Sequence, residues 1–515
     1  MSSHPKILTF VCLWAAIPLA AAPPVLAPPS PPKPHVKPAP SADPAAGLAP
    51  LLEKFVQVMT AVKSNAAEPS SIDKMIYQGA IPSMLRQLDP HTQFFNPSQF
   101  AQLQQMEASE QKGFGSIVSV LPGQVIFLQT LPGTPSNEAG IQPGDNLVGI
   151  GNIAIGRLEP RQIVQLLTAA RQQKITVYIR RPGAKHILRF TLTPALVDQP
   201  SVDRAFLLHP GYGYIRVKSW EMGTAGKLQE AIEKLGGKSL KGLVLDLRNN
   251  PGGIVKQALQ AAALFLKPGQ RILTAKGRAG VTGTANVPKT ATPYTFKLAV
   301  LIDGKTASAS EILSGALQDH DRAVIVGEPS YGKGLVQSVM PLADGAGLAI
   351  TTAFYYTPSG RTIEKPLPDS ALAKTFATPK KPPVYRTDDG RIVKGGGGIK
   401  PDIAVSRGPH TRLEMVLEGS GDLTSFATRY LASHSPLPAS FRVTSNLLDN
   451  LKVYLSERNI QPTVAEWGDE EPWITAHLEE AIVTQARGVA EGDKIAARSD
   501  PQIQAALKAI EKQAN

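Results

Sequence analysis

The sequence predicts a multidomain α+β protein, with a layered α/β core, a β-rich module ahead of it and helical regions at either end. Three observations carry this. At 515 residues the chain is too long for one compact core. Residues 111–195 are short β-type runs around glycine turns, and after Pro200 strand-like and helical runs alternate. On either side, residues 51–106 and those beyond Arg407 show helical periodicity.

The first segment is of another kind. Lys6 precedes the apolar run 7–17, then come Pro18 and the small residues 19–22, the order of a secretory signal peptide over 1–22. Cleavage would place the mature chain in the periplasm. An uncleaved segment would leave it membrane-associated, although Pro18, Pro23 and Pro24 oppose one continuous spanning helix. The only cysteine, Cys12, falls in that run, so a cleaved chain has neither disulfide nor thiolate nucleophile. Residues 23–50 are dominated by proline and read as an extended, disordered linker. The net charge of +12 comes without an arginine-rich tract or an aromatic-plus-basic ladder, so a solvated basic surface is expected rather than a nucleic-acid partner.

Residues 51–106 are expected to form an N-terminal helical domain, broken at Leu88-Asp89-Pro90-His91 and at Asn96-Pro97-Ser98. In 107–197 the order is Gly113-Phe114-Gly115-Ser116, a β-run at 124–128, the segment 133–147 with Ala139-Gly140-Ile141, Pro143-Gly144-Asp145, a helical run 159–170 and a β-run 175–179. This order resembles a PDZ domain. The core, 198–406, alternates strands at 213–217, 242–248, 297–302 and 321–327 with helices at 224–235 and 254–266 and after Ser308, which fits a sheet of mixed strand directions. Residues 407–515 are expected to form a C-terminal helical domain, with Trp467 and Trp473 in an acidic turn.

Two motifs in the core carry chemistry. Ser308 opens a helix, and Lys333 sits between Gly332 and Gly334 after a strand. Ser308 and Glu311 satisfy the S-x-x-E capping box, so Ser308 is an N-cap by pattern. A helix N-terminus also suits an oxyanion, and both roles are open at this point. His320 would lie roughly 18 Å along the helix axis from Ser308, at about 1.5 Å per residue, which is too far for proton transfer. Lys305 reads as a solvated cation in a polar turn, whereas Lys333 can be held out of water. A lysine base must shed a proton near neutral pH from an ordinary pKa of about 10.4, each unit corresponding to about 1.4 kcal/mol, so its surroundings must be dry. Gln337, four residues on, shares the face of Leu335 and Val339 and can orient an amine without adding charge. The same stretch, Gly327 to Lys333, matches half of a phosphate-binding loop, but Gly334 replaces the metal-binding hydroxyl and a β-pattern follows.

Taken in order, these motifs resemble the C-terminal processing peptidases (tail-specific proteases) of the serine–lysine type. The resemblance runs from residue 51 to 403. It rests on Leu88-Asp89-Pro90-His91, the PDZ-like module, 246–253, Ser308-Ala309-Ser310-Glu311, Gln318-Asp319, Gly327-Glu328, Gly332-Lys333-Gly334, 355–361 and 398–402. It implies a crotonase-like core and a serine endopeptidase without metal or organic cofactor. Ser308 would be the nucleophile, Lys333 the base 25 residues on, and Gln337 the residue that positions it. The oxyanion hole would be the N–H groups of Ala309 and Gly252. Gly113, Phe114, Gly115 and Ser116 would bind the C-terminal carboxylate of a protein or peptide substrate, and Arg181 would couple PDZ to protease, or simply be solvated. Homo-oligomer or adaptor binding is left open. Two departures stand out: Lys305-Thr306 replaces Gly-Ser, and Trp220 replaces a smaller residue where it could alter the substrate channel. The rival is an inactive PDZ scaffold on the same core.

Overall fold

The computed structural model describes residues 47–68, 71–107, 112–197, 200–278, 280–365, 383–406 and 408–512. The expected signal peptide, Cys12 and nearly all of the proline-rich linker lie outside the described residues. The first helix, Ala49–Asn65, starts inside the expected linker, with Pro50 in its first turn where a missing N–H costs nothing.

The protein is mixed α/β. Its central sheet has six strands in the order Val202–His209, Tyr212–Val217, Gly242–Asp246, Lys297–Ile302, Val324–Gly327 and Ile403–Ala404. The first pair is antiparallel and the remaining junctions are parallel, giving the mixed directions expected. Leu243, Val244 and Leu245 are all buried, because parallel strands are covered on both faces and read as unbroken apolar runs. On one face lie helices Thr224–Lys234, Val255–Ala263 and Ala309–Asp319. On the other, Ile503, Ala506, Leu507 and Ile510 of the last helix, Pro501–Lys512, pack on Tyr214, Val244, Ala299 and Leu301. The last helix thus completes the core instead of joining a separate helical unit. Its amphipathic pattern fixes an apolar face but not the partner of that face.

A second sheet carries the strand after Lys333. Gly347–Tyr356 pairs along one side with Leu335–Pro341, and on the other with Gln93–Phe95 at one end and Arg271–Gly277 at the other. The three-residue strand from the otherwise helical N-terminal region brings the turn 88–92 to the core. Residues 112–197 form a separate antiparallel sheet, Ser116–Leu121, Gln124–Thr130, Asn146–Ile150, Ile175–Arg180 and Leu188–Leu192, with its own apolar core and the helix Pro160–Ala170.

Trp467 and Trp473 are not in a turn. Both lie in the continuous helix Val464–Arg487, which Thr463 caps and Pro472 does not end. Burial of Trp467, Ile474, Leu478 and Ile482 along one stripe outweighs the hydrogen bond lost at the proline. These helices also meet the β-rich module, where the Val489 N–H donates to Gln129 Oε1 at 3.1 Å. Among the described residues no helix is long and apolar enough to cross a membrane.

Candidate active site

Strand Lys297–Ile302 delivers the loop 303–307 to the helix that Ser308 precedes. Asp303 Oδ1 accepts the N–H groups of Asn249, Lys305 and Thr306 at 3.0 Å each, so one carboxylate holds this loop to its neighbour. The Thr306 hydroxyl donates to the Leu247 carbonyl at 2.8 Å and ties the same two loops together.

Ser308 has φ 54° and ψ −116°, a costly conformation for a residue with a β-carbon. Its side chain is buried, and Oγ has no hydrogen-bond partner. Only half of the capping box forms. Glu311 Oε2 accepts the Ser308 N–H at 2.9 Å, but the Glu311 N–H goes to the Ser308 carbonyl at 2.8 Å and not to the hydroxyl. A buried hydroxyl left unpaired costs about 1–3 kcal/mol, which suits a reacting group better than a cap.

Glu311 joins the two halves of the site. Its carboxylate is fully buried and takes four donors: the Ser308 N–H, the Gly332 N–H at 2.7 Å, the Lys333 N–H at 2.8 Å and the Ser330 hydroxyl. Burial pushes its proton affinity up, and these donors pull it back. Because Ser308 N–H and Lys333 N–H share Oε2, their nitrogens lie within about 6 Å of each other. Sequence pattern gave Glu311 one partner; the loop it also holds comes from beyond the next strand.

Lys333 is 5% exposed, and burial lowers its pKa against the opposing pull of Glu364, Asp89 and Glu311. Lys305 is exposed, and His320 is bound at the far end of the helix to Asp388 and the Arg271 carbonyl. After Lys333 comes a strand rather than a helix, so the phosphate-loop geometry does not form.

Gln337 is buried, and its Nε2 donates to the His91 carbonyl at 2.6 Å. His91 itself stands in the field of Lys333; burial first, then that lysine, depress its pKa, and Asp89 opposes them. Asp89 organises the turn by accepting the N–H groups of His91 and Thr92 and the Thr92 hydroxyl. No sequence signal beyond the Leu88–His91 motif placed this turn beside a lysine more than two hundred residues later.

The N–H groups of Ser310, Glu311 and Ile312 are donated to the carbonyls of Ala307 and Ser308, which leaves that of Ala309. Gly252, at φ +102°, lies against it: a β-carbon there would stand 2.8 Å from Ser308 Cβ and 3.1 Å from Ala309 N. The Gly252 N–H, however, is donated to Asn250 Oδ1 at 2.9 Å. Gly252 gives close approach, while its donor serves an asparagine side chain, a local competition that a Pro-Gly-Gly pattern does not reveal. Trp220 is 1% exposed and donates to Ser310 Oγ at 2.9 Å, so it braces the Ser308 helix and does not line an open channel.

The remaining expected residues sit in the β-rich module. Gly113 pairs with Ala195, Gly115 has φ +72°, and the Phe114 and Gly115 carbonyls accept the Ser136 and Leu131 N–H groups. Ser116 Oγ is buried without a partner. Arg181 makes a two-pronged ion pair with Asp145 at 2.7 and 2.8 Å and donates to the Gly140 carbonyl, all within that module.

The model of peptidase family S41 matches residues 211–372. A carboxyl-terminal-processing protease of Synechocystis sp. is 36% identical over 294 residues, covering 56% of this chain and 68% of the relative. The chloroplastic carboxyl-terminal-processing peptidase 2 of Arabidopsis thaliana is 35% identical over 330 residues, covering 60% and 62%. A solved photosystem II D1 C-terminal processing protease aligns at TM-score 0.39 and 26% identity, over 75% of this chain and 98% of that one. The chain belongs to the carboxyl-terminal-processing protease family and is a serine-type peptidase.

Proposed function

We propose that this peptidase uses a Ser308–Lys333 dyad to cut protein substrates near their C-termini. The observation that carries the reading is the shared Glu311 oxygen, which fixes the Ser308 and Lys333 main chains side by side while the Ser308 hydroxyl stays buried and unpartnered. Lys333 in its neutral form, which burial favours, takes the hydroxyl proton as Ser308 Oγ attacks the peptide carbonyl. The tetrahedral oxyanion rests on the Ala309 N–H, aided by the positive end of the helix dipole. A second donor from Gly252 would require its release from Asn250. The ammonium of Lys333 then returns its proton to the leaving amine, and water hydrolyses the acyl-enzyme. Gln337 acts on this scheme through the His91 carbonyl.

The β-rich module is read as a PDZ domain that binds the substrate tail. Strand Ser116–Leu121 is at the edge of its sheet, beside helix Pro160–Ala170, which leaves a groove for an added strand. The N–H groups at Phe114 and Gly115 would hold the terminal carboxylate. The core is read as crotonase-like, and the chain as exported to the periplasm through residues 1–22. The test is hydrolysis of a denatured polypeptide by wild type, Ser308→Ala, Lys333→Ala and Lys305→Ala. Loss in the first two variants alone is expected; activity surviving in Lys333→Ala would overturn the dyad.

A further inference from the structure

Glu364 lies in the segment after strand Gly347–Tyr356 and is buried. One oxygen accepts the Gly334 N–H at 2.6 Å; the other, Oε1, is buried with no partner. A β-carbon on Gly334 would stand 2.9 Å from Glu364 N and 3.3 Å from Glu364 Cβ, so this acid packs directly on the residue that follows Lys333. The charged and titratable groups facing Lys333 are Glu364, Glu311 from the Ser308 helix, and Asp89 and His91 from the N-terminal turn. Glu311 and Asp89 are occupied by the donors described above. Lys365 turns to the Tyr331 ring, with Nζ 4.6 Å from its centre. Among the described acids facing Lys333, only Glu364 has a carboxyl oxygen to spare.

We propose that Glu364 is a positioning residue of the hydrolytic site, an acid whose charge holds a proton on the Lys333 amine and so sets the pH at which the base becomes available. The proposal rests on the Ser308–Lys333 reading. Of the charges acting on Lys333, that of Glu364 is the strongest, and it opposes the effect of burial. Burial pushes Glu364 itself up to about 8, against the pull of the Gly334 N–H. The acid is thus raised and the lysine lowered towards each other, and their charges act on one another, so the two groups titrate as a pair.

The test is the pH profile of kcat/KM for polypeptide cleavage in wild type and Glu364→Gln, which keeps the shape and the acceptor for Gly334 but removes the charge. The ascending limb is expected to move to lower pH by about one unit and to fit a single ionisation. A role confined to packing would lower activity or melting temperature without moving the limb, and an unmoved limb overturns the proposal. If the glutamine variant does not fold, Glu364→Asp, which withdraws the acid by one methylene, is expected to move the limb in the same sense; no movement there is equally decisive. Activity retained in Ser308→Ala or Lys333→Ala would instead defeat the dyad, which separates the two failures.

Discussion

The Ser308 site and the edge of the β-rich module use opposite means. Around Ser308, a single buried carboxylate takes four donors and holds two chain segments in register, while the Ser308 hydroxyl is left unpaired. The module instead leaves the edge strand Ser116–Leu121 unpaired on one side and fixes its own shape with an apolar core and the Arg181–Asp145 pair. On the proposed reading, chemistry depends on exclusion of water, and tail recognition on backbone left open. Damage to the first should therefore destroy turnover, and damage to the second should weaken binding.

The largest effect is expected at the dyad: Ser308→Ala and Lys333→Ala should each lower kcat by about 10³-fold or more while the melting temperature changes little. Equal activity in either variant would erase the contrast. Glu311→Ala should fail differently, because it strands four buried donors; a loss of about 3 kcal/mol or more of stability is expected from chemical denaturation, with activity falling alongside it.

The site's pH dependence has a definite sign. Burial lowers the Lys333 pKa in the folded protein. The unfolded chain thus binds more protons between that lowered value and the ordinary lysine value of about 10.4, so stability rises with pH across this window. Activity should rise through the lower end of it as the amine becomes neutral. A profile flat until above the ordinary lysine value would mean that the amine is solvated.

For the groove, amidating the C-terminus of a peptide substrate should raise KM roughly tenfold, or about 1.4 kcal/mol, with kcat nearly unchanged. An effect on kcat alone would place the carboxylate at the scissile site. The smallest effect on cleavage is expected for Arg181→Ala, which should lower module stability with turnover retained, because its partners Asp145 and Gly140 are in the same module.

Sequence legibility followed the same divide. Local signals placed Ser308 at a helix start and Lys333 in a glycine turn, and the structure brings both to one carboxylate. In the β-rich module the runs 124–128 and 175–179 and the helix 159–170 are legible, whereas strands Asn146–Ile150 and Leu188–Leu192 are not singled out. What escaped was non-local. Gln93–Phe95 is too short to show a period, yet it carries Asp89 and His91 to Lys333. Glu364 has no motif of its own, and its meaning appears only when Gly334 lies against it. The Asn250 side chain competes for the Gly252 N–H, a choice made by rotamer rather than by spacing. The acidic stretch around Trp467 and Trp473 reads as a turn, but burial of one stripe keeps it in a continuous helix.

The most direct measurement is mass-spectrometric mapping of a serine-reactive probe on wild type and on Lys333→Ala at the same pH. A single acyl adduct on the peptide containing Ser308, reduced by about a hundredfold or more in the lysine variant, is the expected result. Labelling of Ser308 at an undiminished rate without Lys333, or an adduct on a different serine, would contradict the assignment of this pair.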